Sequence, residues 1–97
     1  MTITAHLDLR LKPDALAIAP ATLREVLADT RAFDGCVGVD VIVDRADPAH
    51  LILVERWASA AADARYREWR AGPGASGLAS ILAGPPQLTL FDTAEDI

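Results

Sequence analysis

The segment HLILVERW, residues 50–57, is where the architecture of this chain can first be worked out. Its four consecutive apolar residues, 51–54, leave no solvent-facing side, which is typical of a strand covered on both faces. Two charged residues and Trp57 follow, where the strand gives way to a helix. A chain of 97 residues has little material with which to cover both faces of one strand. The pattern therefore favours a dimer.

Composition limits the classes of protein to consider. The apolar fraction of 52% argues against disorder, and the length fits one domain over residues 1–97. A net charge of −5 with scattered basic residues argues against nucleic-acid binding, because phosphate contacts need clustered cations. No apolar run approaches the roughly 18–20 residues of a membrane-spanning helix, and the N-terminus does not resemble a signal peptide. Together with a single cysteine, Cys36, this predicts a cytoplasmic protein with no membrane partner.

Local patterns predict four strands and two main helices. Period-two alternation indicates the first two strands, and apolar residues between Leu23 and Thr30 recur at helical spacing. Gly35 is free to take a positive φ and end the first helix. The predicted elements are a strand at 3–12, a helix starting near Pro20, a strand at Cys36–Asp44, a loop at 45–49, the strand at 50–57, a helix capped by Ser59 and running to about Ala71, a short helix at 75–83, a strand at Gln87–Asp92 and a loose acidic tail at 93–97.

The order β-α-β-β-α-(α)-β is the ferredoxin-like plan of α+β proteins. It predicts a four-stranded antiparallel sheet with the helices on one face. The other face then has no cover within the chain, and an apolar patch of that size marks an interface. We therefore predict a homodimer whose sheets pack face to face about a two-fold axis. In the second strand, the small residues Cys36 and Gly38 share one face, which predicts close approach by a helix or a partner.

Five motifs along the chain are similar to those of one known family. They are Lys12-Pro13, FDGC at 33–36, Asp47-Pro48, LILVERW at 51–57 followed by Ser59, and AGPP at 83–86. Together they resemble the antibiotic biosynthesis monooxygenase domain family of dimeric α+β barrel proteins, over roughly residues 2–92. The resemblance implies a dimeric α+β barrel. It also implies a cofactor-independent monooxygenase acting on an aromatic, quinol- or polyketide-like small molecule.

Two other functions stay open. One is a non-catalytic dimer of the same fold that binds a small ligand. The other is a haem-binding or haem-degrading protein. The resemblance implies that this branch pairs a strand tryptophan, matched by Trp57, with an iron-ligating histidine on a later helix. Residues 70–83 contain no histidine, so this alternative is weaker. Two histidines and one cysteine at wide spacing match no metal-ligand pattern, and we expect neither a metal nor a cofactor.

Candidate site residues are those able to line a pocket between the sheet and the helices. Trp57, Tyr66 and Trp69 could wall a cavity for a flat ligand, and simple core packing is the alternative. His6 could act as a general base that deprotonates a phenolic or enolic substrate, and exposure to solvent is the alternative. Arg10 could orient a polar group of the substrate or form an ion pair across adjacent strands.

A glycine-rich stretch, GPGASG at residues 72–77, precedes the predicted short helix. It lacks the lysine and the spacing of a phosphate-binding loop. With its glycines as hinges, it could form a mobile lid over the pocket.

Overall fold

The computed structural model describes residues 2–97, in which four strands form one antiparallel sheet and two helices cover one face of it. Across the sheet the strands lie in the order second, third, first and fourth of the chain, which confirms the ferredoxin-like α+β plan and places the HLILVERW segment at the centre of the sheet. The elements are β1 (Ile3–Arg10), α1 (Ala19–Ala32), β2 (Cys36–Asp44), β3 (Asp47–Trp57), α2 (Ala60–Arg70) and β4 (Gln87–Asp92), with 3-10 turns at Pro13–Ala15 and Leu78–Ile81.

Both helices form where the sequence predicts them. The buried side of α1 runs from Leu23 to Thr30, and Gly35 follows the helix with a φ of 93°. A Cβ at Gly35 would lie 2.4 Å from the Cβ of Ala62, so this turn brings α2 close. Ser59 caps α2, since its Oγ accepts the N–H of Ala62 at 3.1 Å and pairs one of the donors that a first turn leaves free. Neither helix, nor any other in residues 2–97, has the length and apolarity to cross a membrane.

The two central strands divide their side chains between the two faces of the sheet. Each helix-facing residue of β3 stands opposite a residue of β1 that faces the same way. One member of this row is Glu55, whose exposure is 1%, so a buried carboxylate interrupts an otherwise apolar row. The cross-strand pairs of the row are Leu51–Leu9, Leu53–Leu7, Glu55–Ala5 and Trp57–Ile3.

The opposite face of the sheet, here called the open face, has no covering element among residues 2–97. Ile52 and Val54 of β3 are half-buried there. Ile42 of β2 and Phe91 of β4 are exposed by 49% and 44%. The homodimer that would cover these side chains therefore stays a prediction.

The predicted third helix at residues 75–83 is confirmed only in part, because its predicted extent is too long. Only the 3-10 turn Leu78–Ile81 forms, because this segment runs beside the end of β1. Leu82 bridges to Leu11, and the N–H of Lys12 donates to the Ile81 carbonyl at 2.9 Å. A continuous α-helix would have used the same backbone groups internally.

The predicted loop at residues 45–49 is wrong. Strand β2 extends to Asp44 and β3 begins at Asp47, so only two residues turn the hairpin. The Asp44 Oδ1 accepts the N–H of Ala46 at 2.9 Å. Such a side-chain bond to the backbone two residues ahead stabilises a turn tighter than composition alone indicates.

A bulge at the start of β2 changes the predicted faces of that strand. The pairing with β3 shifts between Cys36 and Gly38, so Cys36 packs into the core while Val37 is exposed by 60%. The close approach predicted at Gly38 comes from β3, since a Cβ there would lie 2.6 Å from Arg56 Nη2. Burial raises the pKa of the Cys36 thiol, which disfavours a reactive thiolate and suits a packing role.

Candidate functional site

Two adjoining spaces between the sheet and the helices form the candidate site. The first, the inner cavity, has a volume of about 130 Å³ and lies between β1, β3 and the two helices. The second, the outer cleft, has a volume of about 340 Å³ and is bordered by α1, the end of α2 and residues 73–77. Val26, Arg70 and Ser76 border both spaces. A molecule in the outer cleft would therefore meet the inner cavity at Arg70.

Glu55 brings a buried carboxylate to the inner cavity. Its Oε1 accepts a hydrogen bond from Trp57 Nε1 at 3.2 Å and another from Arg67 Nη2. Within residues 2–97, both of the hydrogen bonds that this side chain accepts fall on Oε1. One oxygen is thus held in place, and Oε2 is available to a bound molecule.

Arg67 also borders the inner cavity, at the centre of a three-residue charge cluster. Its Nη2 bridges Glu55 and Asp63, with the Asp63 Oδ1 at 3.1 Å and that side chain 5% exposed. Its Nε is buried without a hydrogen-bond partner in the described part of the chain. A buried N–H without an acceptor costs about 1–3 kcal/mol. An acceptor supplied by a ligand is one explanation for such a group.

Arg70 closes the inner cavity through a network that joins three segments. Its Nε donates to Tyr66 Oη at 2.8 Å, and its Nη2 donates to Thr30 Oγ1 at 2.9 Å and to the Val26 carbonyl at 2.8 Å. Its Nη1 donates to the Gly74 carbonyl at 3.1 Å. The Tyr66 and Thr30 hydroxyls lie 2.7 Å apart. These bonds fix the Tyr66 hydroxyl and fasten the glycine-rich stretch to both helices.

The three aromatic residues predicted to wall a cavity come together, but they pack on one another. The ring centroids of Trp57 and Tyr66 are 4.6 Å apart, and those of Tyr66 and Trp69 are 6.2 Å apart. The ring of Phe33, which is not among the predicted site residues, lies 5.3 Å from the rings of both Tyr66 and Trp69. Trp57 is fully buried and borders neither space, whereas Tyr66 borders the inner cavity and Trp69 the outer cleft.

His6 and Arg10 lie on the open face, across the sheet from this cluster. His6 stands opposite Val54, with its ring 4.8 Å from that of Phe91. Arg10 forms an exposed ion pair with Asp47 at 3.5 Å. Neither residue borders the inner cavity or the outer cleft. The structure thus separates the predicted base from the aromatic residues grouped with it.

Tyr66 is the one predicted site residue that borders the inner cavity, and the charged residues that meet it there are not among the predicted ones. Glu55 shares the period of Leu53 and Trp57, so the alternation of β3 already places it on the buried row. That signal is readable from the sequence. Arg67 has no comparable signal, because its position depends on how α2 packs over β3.

His50 forms a second polar cluster, on the open face. Its Nδ1 lies 2.9 Å from Asp44 Oδ2 and its Nε2 lies 3.1 Å from both carboxylate oxygens of Asp8. The hydrogen bonds to Asp44 and Asp8 raise the pKa of His50 above its ordinary value of 6.5. The same bond from His50 lowers the pKa of Asp44. Despite these carboxylates, no group of His, Cys, Asp and Glu in residues 2–97 could hold a metal ion.

Replacement of His50 by glutamine is expected to change how stability depends on pH. Because the folded-state pKa of His50 is raised above 6.5, its contribution is fully present below that value and is lost as pH rises through the raised pKa. Urea unfolding of both proteins between about pH 5 and pH 9 measures the difference. The difference in the free energy of unfolding between wild type and His50→Gln should become smaller towards high pH. A difference that stays constant across this pH range would contradict a stabilising role for protonated His50 between Asp44 and Asp8.

Comparison of the sequence with models of known protein families gives a match over most of the chain. A sequence model of the family described as antibiotic biosynthesis monooxygenase matches residues 2–76. This range holds β1 through α2 and therefore every charged residue of the inner cavity. A search of curated protein sequences found no match.

Solved structures share the fold over almost the whole chain. Rv0793 from Mycobacterium tuberculosis is 25% identical, with 98% of this chain and 97% of that one covered and a TM-score of 0.77. A mutant of SnoaB, a cofactor-independent oxygenase from Streptomyces nogalater, is 16% identical, with 97% and 94% covered and a TM-score of 0.81. A conserved protein from Methanosarcina mazei is 16% identical, with 96% and 93% covered and a TM-score of 0.80.

Proposed function

This chain belongs to the antibiotic biosynthesis monooxygenase family, and on that premise we propose that it is a cofactor-independent monooxygenase of a phenolic or enolic small molecule, aromatic, quinol- or polyketide-like. The observation that supports this most directly is the buried carboxylate of Glu55 at the inner cavity, with Oε2 available. The structural similarity to SnoaB, a cofactor-independent oxygenase, is in keeping with it.

In the proposed reaction, Glu55 Oε2 accepts the hydroxyl proton of the substrate. The substrate anion is electron-rich and reduces dioxygen directly. A substrate carbon that bears hydrogen bonds to dioxygen, and the proton held by Glu55 completes the hydroperoxide. Loss of the hydrogen on that carbon as a proton cleaves the O–O bond, so one oxygen stays as a carbonyl and the other leaves as hydroxide, which that proton converts to water. The substrate thereby supplies all four electrons. Arg67 Nε, the buried donor without a partner, stabilises the negative charge that develops on the substrate oxygen.

The two spaces suit a substrate with more than one ring. The inner cavity, at about 130 Å³, has room for the reacting ring, and the outer cleft receives the remainder beside Trp69. Residues 73–77 border that cleft, and a Cβ at Gly74 would lie 2.1 Å from the Trp69 ring. The stretch 72–77 therefore rests directly on Trp69, as a lid that opens to admit substrate would do.

Oxygen uptake tests this proposal. Purified protein without added cofactor is mixed with a panel of anthrones and hydroquinones, and dioxygen consumption is followed with an oxygen electrode. At least one compound should give uptake that depends on enzyme concentration, and mass spectrometry with isotopically labelled dioxygen should find one labelled atom in the product. Compounds that bind without uptake would count against an oxygenase.

A non-catalytic ligand-binding protein of the same fold is the second candidate. It is favoured by the hydrogen bonds that Trp57 and Arg67 make to Glu55 Oε1, because a paired carboxylate can serve structure alone. Quenching of tryptophan fluorescence, to which Trp69 at the border of the outer cleft contributes beside the buried Trp57, reports binding without a need for oxygen uptake. Quenching by the panel with no uptake by any member identifies this second function.

We further propose that two copies pack their open faces together. Light scattering is expected to give twice the 10.3 kDa of one chain. Ile42→Asp should shift the mass towards one chain, because a charge would be buried in the interface without a partner. Ile18→Asp, at a residue 57% exposed and outside the sheet, is the matched control and should remain a dimer. If light scattering gives the wild-type protein the mass of a single chain, the proposed interface between open faces is contradicted.

We also propose that the protein works in the cytoplasm. Cys36 is free and cannot form an internal disulfide, which suits a reducing compartment.

A further inference from the structure

A third space, the edge groove, lies between α1 and the β2 side of the sheet. Its volume is about 440 Å³, within the range of small-molecule sites. Leu23 and Leu51 are buried at its floor, whereas Val41 and Val43 in its wall are exposed by 37% and 54%. Leu27 separates it from the inner cavity, since this residue borders both. The groove is thus an apolar space distinct from the proposed active site.

Charge is distributed unevenly around α1. The charged residues that border the edge groove are Arg24 and Arg31, seven positions apart and so on one side of the helix. The acidic residues Glu25 and Asp29 border the outer cleft instead. In a chain of net charge −5, a groove whose charged rim is wholly cationic favours an anionic ligand and disfavours a cationic one.

Arg31 is held in position for such a ligand. Its Nη2 donates to the Val39 carbonyl at 3.0 Å, which fixes the guanidinium beside β2. Its other nitrogens donate to no acceptor among the described residues. A fixed guanidinium with free donors can bind a carboxylate through charge-assisted hydrogen bonds.

We propose that the edge groove binds a linear amphiphile with an anionic head, of the alkyl carboxylate class. The alkyl chain lies over Leu23, Leu27 and Leu51, and the head group pairs with Arg31, with Arg24 as the second cation. The binding site is independent of Glu55 and of the proposed oxygenase activity.

Titration calorimetry with decanoate, below its micelle concentration, tests the proposal, with decanol as the uncharged probe of the same length. Decanoate should bind more tightly than decanol. Arg31→Gln should weaken decanoate binding by at least about tenfold, the effect of one charge-assisted hydrogen bond. The affinity for decanol should not change. Arg31→Lys, which keeps the charge, should restore part of the affinity.

A matched pair of variants on one strand locates the bound molecule. Val43→Glu places a carboxylate in the groove wall and should abolish decanoate binding. Val37→Glu places the same charge at a residue that is 60% exposed and lies outside the groove. This variant should bind decanoate with the affinity of wild type. Thermal unfolding of each variant shows that it is folded.

Four results would overturn the proposal. Equal affinity for decanoate and decanol, unaffected by Arg31→Gln, would exclude recognition of an anionic head group by Arg31. Absence of binding by both compounds would exclude a ligand site, and undiminished binding to Val43→Glu would place the molecule elsewhere. Conversion of a dimer to single chains by decanoate, seen by light scattering, would show that a second copy of the chain occupies the groove.

Discussion

Glu55→Gln is expected to lower the rate of oxygen uptake by about 10²–10⁴-fold, the range for loss of a general base. Glutamine keeps the shape of the side chain and an oxygen that can accept from Trp57 and Arg67, but it cannot take a proton. The effect should appear in kcat, while substrate binding measured by tryptophan fluorescence changes much less. The substrate for this comparison is the best member of the anthrone and hydroquinone panel.

Asp63→Asn is the matched control for Glu55→Gln. Asp63 is the other buried carboxylate bound to Arg67 Nη2, at 3.1 Å, yet it does not border the inner cavity. This variant should keep most of the activity. His6→Ala should also keep it, because His6 lies across the sheet. Equal losses in Glu55→Gln and Asp63→Asn would show that the charge cluster acts only by positioning Arg67. A wild-type rate in Glu55→Gln would remove Glu55 from the reaction.

Trp57→Ala is expected to lower the free energy of unfolding by about 3–5 kcal/mol, the usual cost of deleting a large buried aromatic side chain. Trp57 is 0% exposed and contacts Tyr66 and Phe33 at centroid distances of 4.6 Å and 6.1 Å. Its loss also removes a donor to Glu55 Oε1. Because a domain of this size has only about 5–15 kcal/mol of stability, the variant should be close to unfolding. Urea denaturation measures it.

Trp69→Ala serves as the comparison for Trp57→Ala. Trp69 has the same side chain, but it is half-buried at the border of the outer cleft. Its truncation therefore leaves a smaller cavity and should lower the free energy of unfolding by less. A loss as large as that of Trp57→Ala would mean that the aromatic cluster is stabilised chiefly from the cleft side.

The fold of this chain is predictable because its signals are local. The alternation in β1, the apolar run at 51–54, the helical spacing from Leu23 to Thr30 and the Ser59 cap each act within a few residues. The errors come where distant backbone competes for the same groups. Residues 75–83 cannot be a helix while Leu82 pairs with Leu11, and that contact spans most of the chain.

The candidate site is less predictable, and the reason is physical. A histidine in a strand suggests a general base, whereas the alternation places His6 on the open face and Glu55 in the buried row. At these two positions the alternation of the strand predicts the location of the side chain better than the residue type does. The role of Arg67 depends on the packing of α2 against β3, which no spacing within either element specifies.

The charge cluster in the core also bears on protein design. Buried ion pairs often contribute less to folding than apolar residues of the same size, and Glu55, Asp63 and Arg67 form their ion pairs beside a core made mostly of apolar side chains. A sequence redesigned for thermostability alone would replace all three with apolar side chains. It would keep the ferredoxin-like sheet and lose the polar inner cavity. In this chain, resistance to heat therefore competes with the proposed chemistry at Glu55 and Arg67, the two members of the cluster that border the inner cavity.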